Sequence, residues 1–384
     1  MQLFFCGEDA EAQLQSELKE TFGETQVQRV GPLLFRTDFS IPVNARLPYL
    51  PFARQWLPNA EALRANSIRE WADGLFSATV GRLVNDRPWR LHLAAHYGAQ
   101  VVHRMGARAW HTTRGLQPRP SSQAGSPTGI AAARAHKVNP EAGRHRCRLI
   151  SDSVIELLQD RRRSLRRHLQ EETTVFTADD SLVQLWLTGP GTGFFSIAFA
   201  PLPFDQRHLL SPFPKGEAPI AFDKAAPSRA FAKLIEAELR SGNAIRAGQT
   251  CVDLGAAPGS WTYVALNRGA RVQAVDRSPL RHDLMAAPNL QFHPGDAFRF
   301  TPQRPVDWLL CDVIAAAERT AELLLNWLRH SWCRRFVVTL KMQQTTTRDV
   351  LPLLKRELPN LTTEFYLQHL NANKNEVCAF GAAD

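Results

Sequence analysis

The stretch Thr250-Cys-Val-Asp-Leu-Gly-Ala-Ala-Pro-Gly-Ser-Trp261 is the part of the sequence that decides the fold. Its first five residues, Thr250–Leu254, form an apolar run that predicts a buried strand, and the small residues after them predict a tight turn into a helix. Gly255 and Gly259 allow a ligand to approach the backbone, and Pro258 stiffens the turn. Ligands of α/β sheets bind at such strand ends. The stretch therefore predicts a nucleotide or cofactor site.

Strand and helix patterns alternate from this stretch onward. The later strand patterns are Arg271–Val275, Leu290–His293, Trp308–Cys311 and Phe336–Leu340. The helix patterns are Trp261–Asn267, Pro279–Ala286, Ala315–His330 and Thr347–Leu358. Such alternation predicts a parallel sheet that is covered on both faces.

The end of the chain follows a different pattern. Thr362–His369 and Val377–Phe380 flank Leu370-Asn-Ala-Asn-Lys-Asn, which is typical of a hairpin. We therefore predict an α/β fold for the C-terminal half, residues 227–384. It is a mostly parallel, Rossmann-like seven-stranded sheet with a terminal antiparallel hairpin, the architecture of class I methyltransferases.

The N-terminal half mixes strand and helix patterns less regularly and predicts an α+β organisation. Residues 1–56 predict a small unit, with strands at Gln2–Cys6 and Gly31–Arg36 around an amphipathic stretch. Residues 57–200 predict a second unit, with a helix at Ser151–Gln170 and strands at Trp89–Ala95, Ser181–Leu187 and Gly193–Phe199. Inside it, residues 112–143 predict a low-complexity loop or disordered insertion. Residues 201–226 are rich in Pro and predict a linker.

Two acidic residues at strand ends refine the cofactor prediction. Asp276 ends the strand after the Gly-rich turn, where a carboxylate can accept both ribose hydroxyls of an adenosine group. Asp296 follows the next strand and is placed to receive an adenine amino group. The Gly-x-Gly-x-x-Gly pattern of dinucleotide sites and the Gly-Lys-Ser/Thr pattern of phosphate-binding loops are both absent from the sequence. The combination favours S-adenosylmethionine over a generic nucleotide.

Four further charged residues fall around the same predicted sheet edge. Asp312 and Lys341 follow or end the fourth and fifth strands, Lys233 lies on the helix before the first strand, and Glu376 begins the last. Two lysines and two acids at a cofactor rim are a candidate catalytic set, although their spacing also allows a structural ion-pair network.

The positive charge of the chain is concentrated in one region. The formal net charge is +9, and the segment from Arg104 to His168 alone carries fourteen Arg and Lys residues against four acids. A helix in this segment ends in five arginines: Arg161, Arg162, Arg163, Arg166 and Arg167. Localised charge of this kind suits an RNA backbone, because neutralised phosphates release counterions.

Other features restrict the class of protein. No apolar run approaches the ~20 residues of a membrane span, and the N-terminus has no basic leader. The six cysteines are scattered without a Cys-x-x-Cys pair, which argues against a zinc site and a disulfide framework. We expect a cytoplasmic monomer that binds neither metal nor membrane.

The four charged residues resemble the Lys-Asp-Lys-Glu tetrad of the FtsJ-like RNA 2′-O-methyltransferases. Pro227-Ser-Arg-Ala-Phe-Ala-Lys-Leu resembles the segment that carries the first lysine of that family. More narrowly, the chain is similar to the RlmM-type ribosomal RNA methyltransferases in three segments: Phe52-Ala-Arg-Gln-Trp, Leu309-Leu-Cys-Asp and Trp327-Leu-Arg-His-Ser-Trp-Cys-Arg. The similarity is weaker between about residues 60 and 200.

The resemblance implies a function and a domain organisation. It implies methyl transfer from S-adenosylmethionine to a ribose 2′-hydroxyl, on a cytidine of large-subunit (23S) ribosomal RNA. It also implies that residues 1–56 are ferredoxin-like and that residues 57–200 are a THUMP domain, an RNA-binding module. In the Gly-rich turn, Ser260 stands where the family has a second glycine, and Ala230 occupies a position that is serine in some relatives. The cofactor-binding set that the resemblance implies is Ser228, Asp253, Gly255, Ala257, Pro258, Gly259, Ser260, Trp261, Asp276, Asp296 and Asp312.

In the same reading, Lys341 takes the proton of the ribose hydroxyl and Lys233 supplies a neighbouring positive charge. Asp312 and Glu376 orient the two ammonium groups. An alternative is that Lys341 only positions the hydroxyl and that solvent takes the proton.

Two alternative functions remain open from the residues. A base methyltransferase would share the fold, but Asp312-Val-Ile-Ala lacks the Asn/Asp-Pro-Pro-Tyr signature of the amino-methylating type. A pyrimidine methyltransferase would need a nucleophilic cysteine, and Cys311, the nearest, is better interpreted as the buried end of a strand. The chain could also be a non-catalytic RNA-binding or ribosome-assembly protein.

Overall fold

A computed structural model describes residues 1–39, 47–84, 86–97, 140–171, 176–342 and 349–383. Within these ranges the chain forms three β-sheets, of four, four and seven strands in chain order. None of the helices in the described ranges is long and apolar enough to span a bilayer. Residues 112–139 of the predicted insertion 112–143 lie outside these ranges.

The first sheet is antiparallel and is built by residues 1–57. Its elements are β1 (Gln2–Phe5), α1 (Glu11–Phe22), β2 (Val27–Gly31), β3 (Leu34–Thr37) and β4 (Gln55–Leu57). The strand order is β2-β3-β1-β4, and α1 buries Leu14 and Leu18 in the core. All four residues of β1 and three of the four residues of β3 are buried, which matches the apolar patterns of the sequence.

The second sheet has the order β5-β8-β7-β6 and carries three helices. Its strands are β5 (Glu61–Arg64), β6 (Trp89–Ala95), β7 (Ser181–Gly189) and β8 (Thr192–Ala198). Its helices are α2 (Ile68–Val80), α3 (Pro140–Arg161) and α4 (Arg163–His168). β6 runs parallel to β7, whereas the other pairs are antiparallel.

Two predictions in this sheet are wrong. The helix predicted from Ser151 begins at Pro140, inside the predicted insertion 112–143, because proline is tolerated in a first helical turn. Gly143 packs closely there, since a Cβ on it would lie 2.7 Å from the Ala95 Cβ. The second wrong prediction is that the helix is continuous to Gln170. It is interrupted at Arg162, whose backbone (φ −146°, ψ 61°) leaves the helical region.

The C-terminal sheet is the one predicted from the Gly-rich stretch. A short helix α5 (Phe204–Arg207) precedes it. The helices of the unit are α6 (Phe231–Ser241), α7 (Ser260–Asn267), α8 (His282–Met285), α9 (Ala317–Arg329) and α10 (Val350–Glu357). Its strands are β9 (Thr250–Leu254), β10 (Arg271–Asp276), β11 (Leu290–Pro294), β12 (Val306–Cys311), β13 (Cys333–Lys341), β14 (Glu364–Gln368) and β15 (Glu376–Ala382).

The order of these strands is β11-β10-β9-β12-β13-β15-β14, and only the pairs that contain β15 are antiparallel. The predicted parallel sheet with a terminal hairpin is therefore confirmed. α8 is shorter than predicted, because Arg281 is still extended (φ −53°, ψ 139°) and the helix begins only after it.

The N-terminal sheet and residues 201–226 pack directly against the edge strand β14. The His369 N–H donates to the Pro51 carbonyl (2.7 Å), and the Gln368 side chain donates to the His208 carbonyl (2.7 Å). In the predicted linker, Leu209, Leu210 and Phe213 are buried. This contact covers the strand edge at which the hairpin would otherwise be exposed.

Glu17 on α1 lies at the same contact, and its substitution tests the contact. Its carboxylate accepts a hydrogen bond from the Phe52 N–H (3.1 Å), and Lys355 Nζ lies 3.7 Å away. Burial raises the pKa of Glu17 to about 7, although Lys355 acts in the opposite direction. The folded state therefore holds a proton that the unfolded state releases above its ordinary pKa of 4.5, so this group makes stability fall as the pH rises from about 4.5 to 7.

We expect Glu17→Gln to be more stable than the wild type at pH 8, by roughly 1 to 3 kcal/mol, and equally stable below pH 4.5. Urea unfolding at the two pH values measures this. The exposed Glu20→Gln serves as the matched control, for which we expect no such difference. A Glu17→Gln variant that is less stable than the wild type at pH 8 would contradict the assignment.

Candidate active site

The four charged residues predicted as a set meet in one ion-paired cluster. Lys233 Nζ lies 3.1 Å from both carboxylate oxygens of Asp312 and 2.6 Å from Glu376 Oε2. Lys341 Nζ lies 2.8 Å from Asp312 Oδ1 and 2.7 Å from Glu376 Oε1. Each lysine therefore contacts both acids and each acid contacts both lysines. We call this cluster the tetrad.

The fold explains why residues so distant in sequence meet. Lys341 is the last residue of β13 and Glu376 the first of β15, and they are direct cross-strand partners. Asp312 follows β12, the neighbour of β13, so its backbone leaves the same sheet edge. Lys233 reaches the cluster from the first turn of α6.

The tetrad is largely buried, and this determines the charge state of Lys233. Its side chain is 8% exposed, and those of Lys341, Asp312 and Glu376 are 15%, 16% and 15% exposed. Burial alone would lower the pKa of Lys233, but attraction by Asp312 and the bond to Glu376 outweigh it and raise the pKa well above its usual range. Lys233 is therefore a fixed positive charge and not a proton acceptor near neutral pH.

The Gly-rich turn adopts a backbone that requires glycine at two positions. Gly255 has φ +72° and Gly259 has φ +108°, a region that side chains with a Cβ rarely adopt. A Cβ on Gly255 would lie 2.8 Å from the Val313 backbone, and one on Gly259 would collide with the Leu284 side chain. The turn therefore lies tightly against the loop after β12 and opens α7 beside a cavity.

The turn is also tied to the segment that precedes α6. Ser260 Oγ and Ser228 Oγ are 2.7 Å apart, and Trp261 Nε1 donates to the Ala230 carbonyl (2.8 Å). The serine that replaces the family glycine at 260 thus makes a contact that glycine cannot make. Lys233 is held next to the turn by these bonds.

A cavity of about 730 Å³ lies over the turn, a size that suits a nucleoside cofactor. Ten of the eleven predicted cofactor residues line it: Ser228, Asp253, Gly255, Ala257, Pro258, Ser260, Trp261, Asp276, Asp296 and Asp312. Gly259 is not among the lining residues. Of the tetrad, Asp312 and Lys341 line the cavity, whereas Lys233 and Glu376 are not among its lining residues.

The two strand-end acids both face this cavity. Asp276 accepts hydrogen bonds from the Ala257 N–H (3.0 Å) and the Ser278 N–H (2.9 Å), one at each oxygen. Each oxygen keeps a second lone pair for a ligand hydroxyl. Asp296 accepts from the Phe298 N–H (3.0 Å), and this bond together with the Arg277 guanidinium holds the pKa of its carboxyl below the usual range.

Cys311 and Asp253 are the buried titratable groups of the strand ends. Cys311 is fully buried at the end of β12, and burial raises the pKa of its thiol to about 12. This environment makes it a poor nucleophile, as its interpretation as a strand residue requires. Burial also raises the pKa of Asp253 to about 7, in spite of a 2.6 Å hydrogen bond from Thr262 Oγ1.

Several residues of the cavity rim are not predicted from the sequence. The Arg319 guanidinium lies 3.7 Å from the centre of the Phe298 ring, and Ile314 is 89% exposed at the rim. The contact between Arg319 and Phe298 joins α9 to the segment that follows β11. No short sequence pattern encodes it.

Among the residues that the structure describes, no group of three or more His, Cys, Asp or Glu side chains is arranged to hold a metal ion. All six cysteines are buried free thiols.

The strand order, the Gly-rich turn and the cavity at the strand ends define the C-terminal unit as a class I methyltransferase fold. In agreement, residues 226–380 match the family model of the FtsJ-like methyltransferases.

Individual relatives are similar over shorter stretches. The chain is 35% identical over 198 residues to the ribosomal RNA large subunit methyltransferase M of Thauera aminoaromatica, over 49% of this chain and 54% of that protein. It is 41% identical over 151 residues to the protein of that name from Stutzerimonas stutzeri, over 38% of this chain and 43% of that protein. The chain thus spans about half the length of the curated relatives that it matches. The structure of TrmN from Thermus thermophilus aligns over 99% of this chain and 98% of its own, at 13% identity and a TM-score of 0.30.

Proposed function

We propose that the chain transfers a methyl group from S-adenosylmethionine to a ribose 2′-hydroxyl in RNA. The observation that carries the proposal is the closed Lys-Asp-Lys-Glu tetrad at the edge of a nucleoside-sized cavity. The names of the relatives support large-subunit ribosomal RNA as the substrate. The expected target within it is a cytidine, as the family resemblance implies.

The residues of the cavity fit the cofactor in three ways. Asp276, Asp296 and Phe298 all line the cavity, and we infer that Asp276 accepts the ribose hydroxyls and that Asp296 and Phe298 hold the adenine ring. The Gly-rich turn brings its backbone to the cavity wall. S-adenosylmethionine, when bound, supplies an electrophilic methyl group on a positively charged sulfonium.

The tetrad provides the groups that act on the hydroxyl. Lys341 lies at the cavity, and two of its three N–H positions are occupied by Asp312 and Glu376, which leaves the third directed to a ligand. In the proposed step the Lys341 ammonium first gives a proton to solvent, and the neutral amine then takes the proton of the ribose hydroxyl. Lys233, which does not line the cavity, stays charged and acts through Asp312 and Glu376, the two acids that it shares with Lys341.

The N-terminal half supports binding to RNA. Arg161, Arg162, Arg163 and Arg167 are exposed around the break between α3 and α4, and Arg166 is half-buried. We propose that this cluster contacts phosphates, that residues 57–200 form the THUMP domain, and that residues 1–56 form the ferredoxin-like unit. In this proposal the protein binds RNA and acts as a monomer in the cytoplasm.

The proposal is tested by methyl transfer from labelled S-adenosylmethionine to total RNA, followed by digestion to nucleosides. We expect the label in 2′-O-methylcytidine. Label in a methylated base would support the base-methyltransferase alternative. Binding to RNA without any transfer would support the non-catalytic one.

The raised pKa of Asp253 predicts that the affinity for S-adenosylmethionine depends on pH more strongly than the affinity for S-adenosylhomocysteine. S-adenosylmethionine brings a positive charge into a cavity that Asp253 lines, which favours the ionised carboxylate. Below pH 7 the carboxyl must first lose its proton, so binding weakens. We expect the affinity for S-adenosylmethionine to increase several-fold between pH 6 and pH 8. For S-adenosylhomocysteine, whose sulfur carries no charge, we expect less than a twofold change.

Isothermal titration calorimetry in buffers of different ionisation enthalpy measures both the affinity and the proton release. Asp253→Asn, which cannot ionise, is expected to remove the difference between the two ligands. If the affinities of the wild type for the two ligands changed with pH to the same extent, this role of Asp253 would be contradicted.

A further inference from the structure

A shallow groove of about 400 Å³ lies at one end of the second sheet, apart from the cofactor cavity. Its walls include Leu83, Val84, Trp89 and Phe199. Val84 is 63% exposed and Phe199 is 51% exposed, and they are two of the seven large apolar side chains that are exposed in the described part of the chain. Isolated exposed apolar residues are common, and the presence of two of them in one groove makes it a candidate binding surface.

The groove shares a wall with the arginine cluster. Trp89 Nε1 donates to the Leu165 carbonyl of α4 (2.9 Å), and the Gln170 N–H donates to the Trp89 carbonyl (2.9 Å). The helix that carries Arg166 and Arg167 is therefore fixed against a groove-lining residue. Phe199 follows the last residue of β8, so its ring is presented from the end of a rigid strand.

The residues that line the groove carry one positive and one negative charge, and the arginine cluster supplies the excess positive charge beside them. Arg87 is exposed at its edge, and the cluster adjoins it through Trp89. Asp86 is the acidic side chain among the lining residues, and because Asp86 and Arg87 are both exposed, salt screens the two charges alike. An aromatic face beside arginines is the usual arrangement for an unpaired base, since the ring stacks and the cations hold the phosphates.

We propose that this groove binds an unpaired nucleotide of the RNA substrate, with its base stacked on Phe199 and its phosphate near Arg87. The inference rests on the proposed function in that it takes RNA as the partner. It adds a subsite for single-stranded RNA at a distance from the tetrad. Duplex RNA, whose bases are already stacked, does not use this subsite.

The test uses the full chain and a single-stranded RNA oligonucleotide that carries one 2-aminopurine among uridines. Stacking on Phe199 is expected to quench the fluorescence of the wild-type complex. Phe199→Ala is expected to weaken binding about tenfold and to remove the quenching, whereas Phe199→Tyr, which keeps an aromatic face, retains both. Phe222→Ala is the matched control, because Phe222 is 67% exposed and is not among the lining residues of the groove.

Binding to a duplex of the same length is measured in parallel and is expected to be unchanged in Phe199→Ala. Unchanged single-strand binding in Phe199→Ala, an equal loss on duplex RNA, or an equal loss in Phe222→Ala would overturn the subsite. If Phe199→Ala lost binding to a protein partner in a pull-down while its binding to RNA stayed unchanged, the groove would be assigned to a protein instead. Lack of methyl transfer by the wild type would contradict the proposed function, but it would leave this binding readout intact, so the two failures are distinguishable.

Discussion

Lys341→Met is expected to lose methyl transfer by a factor of about 10² to 10⁴, while its affinity for S-adenosylmethionine changes less than about threefold. Lys341 is the lysine of the tetrad that lines the cavity, and in the proposed step its Nζ takes the proton of the ribose hydroxyl. Methionine has a similar length and shape but neither donates nor accepts the proton. The rate loss therefore reports the chemistry at Nζ, and the affinity reports the integrity of the cavity.

Single-turnover transfer to RNA measures the rate, and calorimetric titration measures the affinity. Lys19→Met on α1, a partly exposed lysine in the N-terminal sheet, is the matched control and should retain full activity. Because Asp312 and Glu376 lose a counter-ion in Lys341→Met, thermal unfolding is recorded as well, and a moderate decrease in Tm is expected. Retained turnover in a folded Lys341→Met variant would exclude an essential role and would favour proton transfer to solvent.

Asp276→Ala is expected to weaken the binding of S-adenosylmethionine and S-adenosylhomocysteine equally, by roughly a hundredfold. Both carboxylate oxygens already accept a backbone N–H, and both have a free lone pair at the cavity. Hydrogen bonds to a charged group contribute about 1.5 to 3 kcal/mol each, so loss of two ribose contacts amounts to at least about 3 kcal/mol. The variant also releases the Ala257 N–H, which loosens the turn.

Equal loss for the two ligands is the diagnostic feature, because they share the adenosine group and differ only at sulfur. Asp283→Ala, in which an exposed carboxylate paired with Arg281 is removed, is the matched control and should bind both ligands normally. A loss confined to S-adenosylmethionine would instead place Asp276 near the sulfonium.

The sequence predicts the C-terminal sheet well because its central strands are buried on both faces. Such strands are continuous apolar runs with sharp ends, and the bounds predicted for Thr250–Leu254 agree with β9. The positions of Asp312 and Lys341 at strand ends follow from the same runs. Parallel strands bring their carboxyl ends to one edge, so the sequence predicts that these residues lie near each other.

The details that depend on tertiary packing could not be predicted. The pairing of each lysine with both acids requires the register of β13 against β15 and the reach of α6. The hydrogen bond between Ser228 and Ser260 and the stacking of Arg319 on Phe298 join segments that no sequence pattern relates. Pro140 and Gly143 are loop signals in sequence, yet close packing against Ala95 accommodates the glycine within α3.

The most direct test of the central claim is mapping of 2′-O-methyl groups on ribosomal RNA from cells that lack this gene, by protection from alkaline hydrolysis. We expect that one mark on a cytidine of the large-subunit RNA is lost, and that it is restored by the wild-type gene but not by the gene for Lys341→Met. An unchanged map, or a mark restored by the lysine variant, would contradict it.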